Sequence, residues 1–240
     1  MNENQAAAVI PIKTNNQRLP GKNTKALGDK PLMYHLFDRI KECNSLNEIF
    51  VDSSDSGILS IASSYGFTPI KRPVSLNSNE TNGDHLIKFE LDYVHYPIIG
   101  QFFVTQPFLN PETIDKAIAM LQNKTELDSV LGVFPIHNRF WFQKQPVNHD
   151  PKILVGTQHM EPIYCESGFY VFRRQAFLNE GTRVTEKHGF MEVDPVESVD
   201  IDTAMDFVHA EAVYRCKIED SVISANVPQA AAAEAIQPDI

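Results

Sequence analysis

The feature that most constrains the fold is an apolar run at 6–12 that gives way at once to a basic, amide-rich loop at 13–23. Apolar residues without polar alternation, over a stretch this short, form the pattern of a central parallel strand covered on both faces. The loop carries Thr14, several amides, the cations Lys13, Arg18 and Lys22, and a Pro20-Gly21 turn signal, with no apolar periodicity. Open α/β sheets bind ligands at the carboxyl ends of their strands. A loop of this kind can offer backbone N–H groups and fixed positive charge to phosphate oxygens there. The same composition also suits an ordinary solvated connection. Two familiar phosphate motifs are excluded. Gly21-Lys22 lacks the earlier glycine and the following Ser/Thr of a Walker loop, and no G-x-G-x-x-G follows the strand.

Beyond the loop the pattern alternates. Leu32, Met33, Leu36, Phe37 and Ile40 predict a helix over 31–43 with one buried face. A short strand at 49–51, a helix at 58–65 and a strand at 67–70 follow. Next come a helix over 85–96, a buried strand over 98–105 and a helix over 111–122 with Pro and Glu in its first turn. Strand and helix in alternation imply a Rossmann-like, mostly parallel α/β sheet with helices on both faces. From Ser129 the grammar changes: 130–136 and 164–173 read as strands, while 137–157 is aromatic, amide-rich and irregular. The region at about 135–165 is either a β-rich arm or an aromatic cluster over the sheet edge. Residues 1–225 are expected to form one domain. The Ala-rich end, 226–240, reads as a loosely held or docked tail.

At 240 residues the chain is long enough for a sizeable core. A net charge of −10 and a pI of about 5.2 argue against nucleic acid as a partner. No run approaches the roughly 18 apolar residues of a membrane span. The Asn/Glu/Gln-rich start does not read as a signal peptide. Cys43, Cys165 and Cys216 lack metal-ligand spacing, so a cytoplasmic protein with ordinary thiols is expected.

A second constellation is Val199-Asp200-Ile201-Asp202-Thr203. In extended chain, period-two alternation sends Asp200 and Asp202 to one side. Paired carboxylate oxygens suit Mg²⁺, which takes one or two protein carboxylates and leaves its other positions to phosphates and water. Asp202 is equally suited to cap a helix over 203–214. A third segment, Lys71-Arg72-Pro73 with the polar stretch 76–84, links a strand to a helix, with Thr81, Asn82 or Asp84 available to cap it.

The motif Arg18-Leu19-Pro20-Gly21-Lys22-Asn23, with Leu27, Pro31 and Leu32, resembles the cytidylyltransferases that activate acylneuraminate and Kdo sugars. The resemblance extends over most of 6–214 and takes in Arg72-Pro73, Thr105-Gln106-Pro107, Ser167-Gly168-Phe169-Tyr170 and Asp200-Ile201-Asp202. It implies CMP transfer from CTP to an acidic acceptor, a keto-deoxy sugar acid or a related acid, with release of pyrophosphate. It assigns Lys13, Arg18 and Lys22 to catalysis on the triphosphate. Nucleotide contacts are implied for Ile12, Lys13, Asn23, Arg72, Thr81, Asn82 and Thr105, and acceptor contacts for Phe103, Gln106, Glu166 and Arg173. Mg²⁺ would sit on Asp200 and Asp202. A homodimer is implied too, with His137, Arg139, Trp141 and Phe142 of the arm at its interface or beside the acceptor. The chain departs from the family at Lys13, where Arg is usual, and at Phe103, where Gln or a nearby Asp would hold the sugar. Losing a buried polar partner points to a changed acceptor, so a small phosphonate acid is an alternative. A non-catalytic nucleotide-binding module is another reading, although two paired carboxylates are more than a binder needs. A dinucleotide-dependent oxidoreductase lacks its glycine fingerprint.

Overall fold

The computed structural model describes residues 3–14 and 17–226, so of the tail expected over 226–240 all but Asn226, the last residue of a helix, lies outside the described residues. Seven strands form one sheet: β1 Ala6–Ile12, β2 Leu46–Ser53, β3 Thr68–Lys71, β4 Ile98–Gln101, β5 Ser129–Ile136, β6 Ile163–Arg173 and β7 His188–Glu192. Their order is β7-β5-β6-β4-β1-β2-β3. Every pairing is parallel except those of β6, which runs antiparallel to both β4 and β5. From β1 the chain builds outward to β2 and β3 on one side and then returns to β4 on the other. The carboxyl ends of β1 and β4 therefore flank a topological switch point, where open α/β sheets leave a crevice.

The first strand shows why the sheet is a middle layer. Ala6, Ala8, Ile10 and Ile12 face a core that includes Met33, Leu36, Phe37 and Ile40 of α1 (Leu32–Lys41), Ile58 and Ala62 of α2 (Ser56–Ser64), and Ile114, Ile118 and Leu121 of α4 (Pro111–Asn123). Ala7 and Val9 face the opposite core with Ile87 of α3 (Gly83–Glu90) and Phe177 of α5 (Arg174–Glu180). Both faces of β1 are buried, as its unbroken apolar run requires. A third cluster packs α6 (Ala204–Asn226) through Phe207 and Ala210 against Leu27, Leu32 and Phe108.

Several boundaries differ from the sequence expectations. The strand expected over 98–105 ends at Gln101; Phe102 still donates its N–H to Val9, but 103–105 turn across the end of the sheet. The helix expected over 85–96 begins at Gly83, where Asn82 accepts the His85 N–H at 2.9 Å, and it ends at Glu90. Helix α5, of seven residues, and strand β7, of five, have no counterpart in the sequence expectations. In the arm, Trp141–Phe142 pairs with Gln145–Pro146 as a minimal hairpin, and Trp141 and Phe142 stay exposed.

Candidate active site

A cleft of about 330 Å³ opens at the switch point, lined by Pro11, Lys13, Lys22, Asn23, Thr81, Asn82, Gly83, Leu86, Phe103, Val104, Thr105, Gly168, Asp200 and Asp202. The loop after β1 supplies one wall. Gly21 adopts φ +70°, a left-handed conformation that glycine reaches without strain, and starts a short 3₁₀ turn at Lys22–Thr24. The turn carries Lys22 inward. Its ammonium donates to the Ile201 carbonyl at 2.7 Å and to Asp202 Oδ1 at 3.0 Å. Arg18 Nη2 reaches the other oxygen, Asp202 Oδ2, at 2.8 Å. Asn23 donates from Nδ2 to the Lys13 carbonyl at 2.7 Å, which closes the loop on its own start. Its buried Oδ1 has no hydrogen-bond partner among the described residues.

Lys13 leaves the end of β1 and donates from Nζ to the carbonyls of Ser78 at 3.1 Å and Thr81 at 3.2 Å. It thereby ties the basic loop to the polar segment before α3. Burial, and secondarily the positive charge of Arg72, push the Lys13 ammonium below the usual lysine range.

Asp200 and Asp202 form the facing wall, on a segment outside any strand, anchored where the Ile201 N–H donates to Thr105 O at 2.9 Å. They share the cleft, as period-two alternation requires. Asp202 does not cap the helix that follows. Thr203 and Asp206 do so reciprocally: Asp206 Oδ2 accepts the Thr203 N–H at 2.7 Å, and Thr203 Oγ1 accepts the Asp206 N–H at 3.3 Å. The Asp202 carboxylate is left to Lys22 and Arg18. Asp200 opens on the cleft, yet enough protein surrounds it that desolvation raises its pKa. Asp202 reinforces that rise, and the Thr105 hydroxyl and Lys22 oppose it. Two carboxylates lining one cleft are a donor set that fits Mg²⁺ with phosphate oxygens and water completing its shell. No cluster of three or more metal-ligating side chains occurs among the described residues.

Several expected site residues lie elsewhere. Ile12 is fully buried; alternation turns its side chain into the α1 core, and its carbonyl accepts Ser53 Oγ at 2.9 Å. Arg72 is 1 % exposed and closed on Asp52, with Nε 3.0 and 2.9 Å from the two carboxylate oxygens and Nη2 3.0 Å from the Asp52 carbonyl. It acts on the cleft through its field at Lys13, not by lining it. Gln106 is buried behind Gly168, donating to Ser167 Oγ at 3.2 Å. Glu166 is exposed and does not line the cleft; it accepts the Tyr170 hydroxyl at 2.6 Å. Arg173 pairs in register with Ile98, the first residue of β4, and so stands at the opposite end of the strands from the cleft. There it donates to the carbonyls of Leu127 at 2.9 Å and Leu121 at 2.6 Å, covering the end of α4. The neighbouring Arg174 does the same for Leu91 and Val94. Lining residues that sequence reasoning passed over include Pro11, Gly83, Leu86 and Val104. Alternation from Ile12 alone would have pointed to Pro11.

The chain matches the family model described as "Cytidylyltransferase" over residues 7–225. It is 30% identical over 223 residues to CMP-N,N'-diacetyllegionaminic acid synthase of Legionella pneumophila, covering 85% of this chain and 94% of that protein. It is 25% identical over 214 residues to N-acylneuraminate cytidylyltransferase A of Danio rerio, where 85% of this chain spans only 50% of the relative's length. Among solved structures, a CMP:2-keto-3-deoxy-manno-octonic acid synthetase complexed with CTP superposes with a TM-score of 0.67 at 16% identity, over 89% of this chain and 99% of that one. That likeness establishes the shared mixed α/β fold.

Proposed function

Because this chain belongs to the cytidylyltransferase family, we propose that it transfers CMP from CTP to a hydroxyl of an acidic sugar and releases pyrophosphate. The observation that carries the reading is the convergence of Lys13, Arg18 and Lys22 on the same switch-point cleft as Asp200 and Asp202. In this mechanism the acceptor oxygen attacks the α-phosphorus in line, and the bond to the bridging oxygen breaks with its electron pair leaving on pyrophosphate. Little covalent chemistry falls to the protein, so its contribution is positioning and charge neutralisation.

Lys22 is fixed by the Ile201 carbonyl and Asp202, so its charge is pre-oriented and costs no reorganisation as negative charge builds on the leaving group. Arg18 shares Asp202 but remains far more open to solvent, able to exchange that partner for a phosphate oxygen. Lys13 faces the triphosphate from the β1 side. Thr81, Asn82 and Thr105 offer short polar groups to the nucleotide. Asp200 and Asp202 would hold Mg²⁺, which supplies charge neutralisation and alignment of the phosphates when bound. The exposed Trp141 and Phe142 support a homodimer formed through the arm.

The test is pyrophosphate release with Mg²⁺ and each of CTP, ATP, GTP and UTP, with and without N-acetylneuraminate or 3-deoxy-manno-octulosonate. Release that requires CTP and one of the acids is expected. Failure with every acid, or release indifferent to the base, would overturn the reading.

A further inference from the structure

The lining of the cleft divides by chemistry. Lys22, Asp200 and Asp202 carry charge, while Pro11, Thr81, Asn82, Gly83 and Leu86 give an uncharged wall. A triphosphate suits the first group, and the flat, neutral base of a nucleotide suits the second. Cytosine offers an amino donor where uracil offers a carbonyl acceptor. Polar groups on the wall tell the two apart only if the wall is held in one place.

Packing does little to hold it. No residue from 73 to 85 is buried, although the stretch links β3 to α3. Asn77 is tied down through Nδ2, which donates to Ser54 Oγ at 2.7 Å. A tight turn follows, in which the Thr81 N–H donates to the Ser78 carbonyl at 3.3 Å and the Ser78 and Thr81 hydroxyls lie 3.0 Å apart. Apart from the cap of α3, the hydrogen bonds that fix 78–82 to the rest of the fold come, among the described residues, from Lys13. Its ammonium donates to both carbonyls that frame the turn, Ser78 at 3.1 Å and Thr81 at 3.2 Å, across 65 and 68 residues of sequence. Bonds from a charged donor are roughly twice as strong as neutral ones. Lys13 lines the cleft itself, so one ammonium stands beside the nucleotide and also holds the wall that faces the base.

We propose that Lys13 is a positioning residue for base selectivity: by holding the Ser78 and Thr81 carbonyls it sets the Thr81–Asn82 wall against the base and so separates CTP from UTP. The proposal rests on the cytidylyl-transfer reading above and gives the ammonium a second task beside the phosphate contact assigned there.

Cytidine separates the two tasks, since it has no phosphate for a cation to touch. The experiment titrates cytidine and uridine into wild type, Lys13→Met and Lys13→Arg by ligand-observed NMR, and follows amide hydrogen exchange over 78–82. Lys13→Met is expected to weaken cytidine binding about 10-fold, the loss of charge-assisted bonds to the turn, to narrow the difference between cytidine and uridine, and to speed exchange over 78–82. Lys13→Arg, whose fork can reach both carbonyls, is expected to restore most of the cytidine affinity. Lys13→Gln is read the same way as Lys13→Met if the latter does not fold. Unchanged cytidine binding in Lys13→Met, or equal losses for the two nucleosides, would overturn the positioning role and leave Lys13 to the phosphates, with cytidylyl transfer intact. A wild-type protein that releases pyrophosphate equally from CTP and UTP removes the cytidylyl reading, and this proposal with it.

Discussion

Arg72 and Lys22 are both buried cations holding an aspartate, and they do opposite things. The Arg72–Asp52 pair is closed, with both side chains at 0% exposure and three hydrogen bonds from the guanidinium going to Asp52 alone. In the Lys22–Asp202 pair the lysine is 9% exposed and the carboxylate 36%, open on the cleft and shared with Arg18. Desolvation makes the first pair a structural commitment, since neither charge can find water or a ligand instead. The second pair keeps a cation poised next to an anion that can accept other partners. A cation's place in the mechanism follows from whether its counter-charge is sealed in or left open.

The largest expected effect sharpens the closed side of that contrast. Asp52→Asn removes the carboxylate that takes the buried guanidinium hydrogen bonds of Arg72, and should cost about 3–5 kcal/mol in urea denaturation. A loss below about 1 kcal/mol would mean that water or the neighbouring Glu90 carboxylate takes the place of Asp52. On the open side, Lys22→Met should lower pyrophosphate release about 100-fold or more, the scale seen when one pre-organised donor to developing charge is removed. Its denaturation midpoint should move much less than that of Asp52→Asn. Equal destabilisation in the two variants would break the comparison. The smallest effect is expected for Arg173→Met. With its guanidinium on main-chain carbonyls at the far end of the strands, the substitution should cost about 1–2 kcal/mol of stability and leave turnover unchanged. A raised acceptor KM in this variant would return Arg173 to the site.

Local signals carried well where the physics is local. The 6–12 run became β1, and the helix with Pro and Glu in its first turn starts at Pro111, with Asn110 accepting the Glu112 N–H. Asp200 and Asp202 share the cleft because alternation in extended chain depends only on the backbone. The reading that Asp202 caps α6 failed. Thr203 and Asp206 form that cap three residues apart, a pattern as legible in sequence as the one that was weighed. Arg72, Gln106 and Arg173 lie away from the cleft lining for a different reason. Their partners, Asp52, Ser167 and the carbonyls of Leu121 and Leu127, are 20 to 61 residues away in the chain, and no local pattern encodes such pairings.

By itself the sequence determined the layered α/β plan, the basic loop after the first strand and the pair of carboxylates, because strand burial, turn chemistry and alternation act between neighbours in the chain. Tertiary structure alone decided which cations serve the cleft. Sealing Arg72 against Asp52 and sending Arg173 to the far end of the strands both depend on contacts between distant segments. Desolvation acts only once those segments have packed.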